Sequence, residues 1–148
     1  MILAVSACLL GRACKYSGGS NRNEAVIRIA GRPDVTVVEV CPEVTAGLPV
    51  PRPPVELREG RIVRQDGVNM DEVYRRGAAV TFATVQKAGV QMAILKANSP
   101  TCGHGQVYDG TFSHTLTEGN GVFAEMLING GIPVYSEREQ EQICLQLS

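Results

Sequence analysis

The chain has 148 residues, 44% of them hydrophobic and 20% charged, with no tryptophan. This length and composition describe one globular domain, spanning 1–148, with a sizeable core; they exclude a disordered segment and a membrane-embedded bundle. Fourteen basic residues against fifteen acidic ones leave a net charge of −1, so no global field recruits nucleic acid or an anionic membrane surface.

The N-terminus reads MILAVSACLLGRACKYSGG. Its apolar run is far shorter than the roughly 18 residues a membrane helix requires, and it lacks the basic start of a signal peptide. Residues 2–7 are read as a first, central strand, in a protein expected to be cytoplasmic, where thiols stay reduced. A short helix is expected over 24–29, ended by Gly31-Arg32-Pro33. Residues 35–40, VTVVEV, are β-branched and nearly continuous, which predicts a second buried strand. The segment 47–54, GLPVPRPP, holds four prolines in eight residues; it predicts a stiff, extended loop, since proline removes a donor and fixes φ. In ELREGRIVRQDG, two short runs flank Glu59-Gly60, the pattern of a hairpin insertion.

The clearest helix is expected over 70–88, capped by Asn69, with Asp71 and Glu72 in the first turn where the helix dipole favours them. Val73, Gly77, Val80, Thr84 and Ala88 draw one small-residue face suited to packing on a sheet, and Gly89 ends the helix. A third strand follows over 91–97, then a helix over 122–128, a last strand over 132–135 and a C-terminal helix over 137–147. Strands alternating with helices predict an α/β layered sandwich with a mainly parallel, Rossmann-like sheet.

Five cysteines stand at Cys8, Cys14, Cys41, Cys102 and Cys144. An odd number in a reducing compartment argues against a disulfide framework. Cys8 follows the first predicted strand, Cys41 the second, and Cys102 lies just past the third. In a parallel sheet all carboxyl ends open on one edge, where ligands bind, so these three should converge. Three thiolates suit zinc or an iron–sulfur cluster. His104 would complete a Cys₃His zinc site and make the domain a zinc-stabilised binding module. Equally, Cys102 with His104 as its base would make a metal-free cysteine hydrolase. Spacing alone leaves all three open. Cys14 is either a loop residue or an auxiliary group beside the substrate, and Cys144 reads as a small buried hydrophobe. Glu43 follows Cys41 by two residues, in the loop leading to the prolines, where a carboxylate can act as acid or base. Ser99 is a turn former or a substrate contact. Lys96 either reaches the crevice as a cation or snorkels at a strand end. The glycines of YSGGSN and CGHGQVYDG match no phosphate-binding fingerprint.

Together, SACLLGRACKYSGGSN, VCPEVTAGLPVPRPPVEL and LKANSPTCGHGQVYDGTF resemble the successive motifs of the thiouracil desulfidase family, and the likeness runs on through GNGVFAEMLINGGIPVYSE. The resemblance implies a [4Fe-4S] cluster held by Cys8, Cys41 and Cys102 with one iron open. It further implies non-redox conversion of a small thiolated pyrimidine, such as 2-thiouracil, to uracil and sulfide. The open iron would capture the thiocarbonyl sulfur while Glu43 activates water, and Ser99 would handle substrate or proton. Thr101, where the family often has serine, and Ser17, where aspartate is common, depart from the pattern without touching an implied ligand.

Overall fold

In the computed structural model, which describes residues 1–147, the chain runs in the order the apolar runs predict. Ser148, the last residue of the expected domain, lies outside the described residues. The elements are β1 (Ile2–Ser6), a 3₁₀ turn at Ala7–Leu10, α1 (Glu24–Ala30), β2 (Thr36–Val40), α2 (Pro42–Thr45), β3 (Val55–Arg58) and β4 (Arg61–Arg64). Then come α3 (Asp71–Lys87), β5 (Met92–Leu95), β6 (Gln106–Tyr108), β7 (Leu116–Glu118), α4 (Val122–Asn129), β8 (Val134–Ser136) and α5 (Gln140–Leu147). Among the described residues, no helix is long and apolar enough to cross a membrane.

Four strands form one parallel sheet in the order β2-β1-β5-β8. Side chains alternate between its faces. Leu3, Val5, Met92 and Ile94 pack with Val26 and Ile29 of α1 and Ile143 of α5. Ala4, Ala93 and Leu95 pack on the other face with Tyr74, Ala78 and Val85 of α3 and with Phe123 and Leu127 of α4. The result is the expected three-layer α/β sandwich. Its two added hairpins are antiparallel: β3–β4, turning at Glu59 and Gly60, and β6–β7. Both turn residues have positive φ, +52° and +78°, the backbone a two-residue hairpin of this hand demands.

Several expectations change. β2 is an edge strand, and of its residues only Val40 is buried. The continuous β-branched run signals a strand but not its rank in the sheet. The buried face of α3 is Tyr74, Gly77, Ala78, Thr81 and Val85, whereas Val80 is 52% exposed. The stripe is rotated because a tyrosine and a threonine are buried; the Thr81 hydroxyl is satisfied by donating to the Gly77 carbonyl at 2.8 Å. Asn69 accepts the Asp71 amide at 2.9 Å, but Met70 occupies the cap position itself. Glu43 lies on a short helix, α2, rather than in a loop; Pro42 opens it with a preset φ. The C-terminal helix starts at Gln140, not residue 137. In it Ile143 alone is buried and Cys144 is exposed, since a one-sided helix turns the neighbouring position to solvent. The β6–β7 hairpin was not anticipated, because strands of three residues carry no readable alternation.

Gly77 fixes how closely α2 lies on α3. A Cβ there would stand 2.4 Å from the Pro42 carbonyl oxygen and 2.5 Å from Ala46 Cβ. Alanine is the better helix former by about 0.5–1 kcal/mol, yet overpacking of this kind costs roughly 1–3 kcal/mol. Gly77→Ala should therefore lower the urea midpoint; an unchanged or higher midpoint would show that α2 yields freely.

Candidate functional site

The register that pairs Ser6 with Val40, Val5 with Ile94 and Leu95 with Ser136 brings all four strands to an end at one edge. Beyond that edge lies a cleft of about 540 Å³, at the switch point where the chain passes from β1 to β2 on one side and then crosses back to β5 on the other. Cys8, Cys14, Cys41 and Cys102 all line it, with Glu43, Lys96 and Ser99. Of the candidate site residues read from the sequence, all but His104 are brought together there.

Each cysteine is held by the element it follows. Cys8 sits in the 3₁₀ turn after β1, and Asn21 Nδ2 donates to its sulfur at 3.4 Å. Cys41 is the N-terminal cap residue of α2, and its thiol lies 3.7 Å from Glu43 Oε2. Cys102 is 5% exposed, in a turn after β5. Ser99 Oγ accepts the amides of Thr101 and Cys102, each at 3.1 Å, and the Ser99 carbonyl accepts the Gly103 amide at 2.8 Å. The same turn caps α4: the carbonyls of Pro100 and Thr101 accept the Val122 and Phe123 amides, at 3.0 and 2.8 Å. A helix leaves its first amides without internal partners, and here the cysteine turn supplies them. Gly121 allows this approach, because a Cβ there would lie 2.4 Å from the Thr101 carbonyl carbon.

Burial dominates the thiol electrostatics. It pushes Cys41 up to about 12, with the Glu43 carboxylate adding to the rise. Burial likewise raises Cys8, opposed in part by the Asn21 hydrogen bond, and raises Cys102 well above its ordinary value, with Glu43, Cys8 and Cys41 adding to it. These three thiols and one carboxylate therefore sense one another across the cleft. Cys14, the auxiliary candidate, lines the cleft with Cys41, and its carbonyl accepts Arg52 Nη2 at 2.9 Å. Ser6, which the sequence does not single out, ties the strand ends together: its hydroxyl accepts the Lys96 amide at 3.1 Å, and it lines the cleft with Cys102.

Lys96 reaches the cleft already paired. Its ammonium lies 3.2 Å from Glu137 Oε2 and donates to the Ala97 carbonyl. Buried Glu137 also accepts the Ala97 amide at 2.7 Å, which explains why it stays outside α5. His104 does not line the cleft; its Nδ1 is 3.1 Å from Glu139 Oε1. That removes the histidine from both the Cys₃His zinc arrangement and the Cys102 hydrolase. A buried thiol with a raised pKa is also a poor nucleophile. The rest of the lining is not legible in the sequence: Glu56, Tyr108, Phe112 and His114, with Arg52 and Tyr74 nearer Cys14 and Glu43. They come from the proline segment, both hairpins and α3, and only the fold unites them.

The donor set fits a cluster better than a single ion. Three soft sulfurs suit zinc or iron–sulfur chemistry. Zinc, however, needs its ligands within about 2.3 Å of one point, and among the described residues no group of three or more His, Cys, Asp or Glu could hold one metal ion. Three thiols lining a cleft of about 540 Å³ leave room for a larger, multi-iron group.

Comparison with known proteins agrees with this geometry. The chain is 36% identical, over 152 residues, to the uncharacterized protein YbbK of Bacillus subtilis (strain 168), a match covering 96% of this chain and 99% of that one. Among solved structures it is similar to the [4Fe-4S]-dependent thiouracil desulfidase TudS, with a TM-score of 0.88 and 34% identity over 98% of this chain and 96% of the other. The 2-thiouracil desulfurase family matches residues 3–139, nearly the whole length, and the chain belongs to that family.

Proposed function

We propose that the chain is a desulfidase for small thiolated pyrimidines, working with a [4Fe-4S] cluster held by Cys8, Cys41 and Cys102. The observation that carries this reading is the convergence of those three thiols and Glu43 on one cleft at the carboxyl edge of the sheet. Family membership and the [4Fe-4S] dependence of the similar desulfidase TudS support it. Bound there, the cluster supplies a soft, Lewis-acidic iron position for a thiocarbonyl sulfur.

The chain's own residues supply the rest. Glu43 takes a proton from water at a carboxylate oxygen as the water oxygen adds to the ring carbon that bears sulfur. The C–S bond then breaks, and 2-thiouracil plus water becomes uracil plus hydrogen sulfide, with no net electron transfer. Ser99 Oγ already accepts two amides, so its remaining capacity is to donate, and its O–H orients the substrate. Lys96 and Cys14 line the same space as substrate contacts. The burial of Cys102 and the partial burial of Cys8 and Cys41 limit the access of bulk water to the sulfur. A cleft of about 540 Å³ suits a small molecule.

Anaerobically reconstituted protein should contain iron and sulfide and release sulfide from 2-thiouracil. Cys102→Ala should lose both properties together; a variant that stays active without iron sinks the reading, as would zinc in place of iron. Glu43→Gln should keep the iron and lower kcat by at least about 100-fold, the usual contribution of a general base; an unchanged rate assigns the proton transfer elsewhere. The raised thiol pKa values predict a pH effect on the metal-free chain. Thiols that ionise above their ordinary value when folded stabilise the fold below pH 9, and that contribution is lost between pH 9 and about 12. Urea midpoints should fall over that window, and less steeply when Cys8, Cys41 and Cys102 are all serine. Equal slopes would show that the thiols are not linked to folding.

A further inference from the structure

We propose that the tip of the β6–β7 hairpin, residues 109–115, is the element that grips the pyrimidine ring, with Phe112 as its stacking surface and Glu56 as the positioning residue that sets Phe112. The identity of the ring rests on the desulfidase reading; the grip itself rests on the following geometry.

The tip is clamped to the neighbouring β3–β4 hairpin. Glu56, only 8% exposed, accepts the amides of Gly110 and Phe112 on the same Oε1, at 3.0 and 3.1 Å. Arg58 donates twice to the Gly110 carbonyl, at 3.0 and 2.7 Å. The two backbones lie so close that a Cβ at Gly110 would stand 2.7 Å from the Leu57 carbonyl oxygen. Within the tip, Asp109 Oδ1 accepts both the amide and the hydroxyl of Thr111, and Ser113 and Thr115 share a hydrogen bond of 2.8 Å.

This clamp holds two residues in a conformation they avoid. Phe112 and His114 have φ of +58° and +59°, a region that bulky side chains rarely enter unless their surroundings force it. A wall that merely closed the fold would use glycine or asparagine at such positions. Here the strained backbone instead turns two rings toward the cleft, which Phe112, His114 and Tyr108 all line. Tyr108 and His114 meet edge-to-face, with centroids 6.1 Å apart. The Arg58 guanidinium lies 5.9 Å from the Phe112 centroid and does not line the cleft, so it backs the ring from outside. The cleft thus has a soft, sulfur-rich end at the strand termini and a rigid aromatic wall on the added hairpins. A thiolated heteroaromatic ring has the matching two parts: a sulfur for one and a flat π-face for the other.

Uracil tests the aromatic wall alone, because it lacks the sulfur. In cluster-loaded protein, Phe112→Ala and Glu56→Ala should weaken uracil binding, measured by calorimetry, and raise KM for 2-thiouracil by roughly 10-fold, the usual worth of one stacked base. Iron content and kcat should change far less. Phe112→Tyr and Glu56→Gln should restore both values, since each keeps the ring or the accepting oxygen. Wild-type uracil affinity in Phe112→Ala overturns the proposal, as does an effect confined to kcat or to iron content. Failure of the wild type to bind uracil overturns it too. Uracil binding that depends on Phe112, in a protein that releases no sulfide, upholds the grip and instead refutes the desulfidase reading.

Discussion

The site depends first on strand register. A parallel sheet presents all its carboxyl ends on one edge only while its strands stay in step, and here Ser6 is level with Val40 and Leu95 with Ser136. Register in turn depends on the core. Leu3 and Val5 are buried on one face and Ala4 on the other, so a slip of one residue would exchange the two sets and drive each into the wrong layer. The cost of that exchange is what keeps Cys8, Cys41 and Cys102 at one address, although 94 residues of chain separate the first from the last.

Charge in the cleft is arranged to be spare on one side and spent on the other. Lys96, a cation in the lining of the cleft, is already matched by buried Glu137. The thiols are held neutral by burial and by the carboxylate of Glu43. A cationic group that binds sulfur must therefore displace their protons, and binding becomes linked to proton release. Isolated buried thiolates would be costly; thiolates that share a metal charge are not. The same burial that makes these cysteines poor nucleophiles makes their thiolates dependent on a positive partner.

Much of this was legible in the sequence, and what was not has a physical reason. Long β-branched and apolar runs report strands faithfully, and cysteines placed after three such runs pointed to a shared edge without reference to any contact. Periodicity was weaker on α3, because the buried stripe contains Tyr74 and Thr81, whose polar atoms look like solvent-facing ones until their partners are seen. Hidden most completely was the hairpin part of the lining. Glu56 meets the Phe112 amide across 56 residues of sequence, on a backbone of unusual φ, and no side-chain pattern encodes either. Cys144 misled for the opposite reason: in a helix with a single buried position, being next to Ile143 means facing away from the core.

The turn that carries Cys102 is also the cap of α4. Its carbonyls accept the first amides of that helix, and Gly121 lets the two lie in contact. Neither can open alone: fraying the first turn of α4 releases the cysteine, and displacing the cysteine strips the helix of its acceptors. The two therefore form one cooperative unit for local unfolding. Any group bound at Cys102 lends its binding energy to the amides of Val122 and Phe123. Occupancy at the sheet edge is thus transmitted to a helix beneath the sheet as slower hydrogen exchange, with no change of shape.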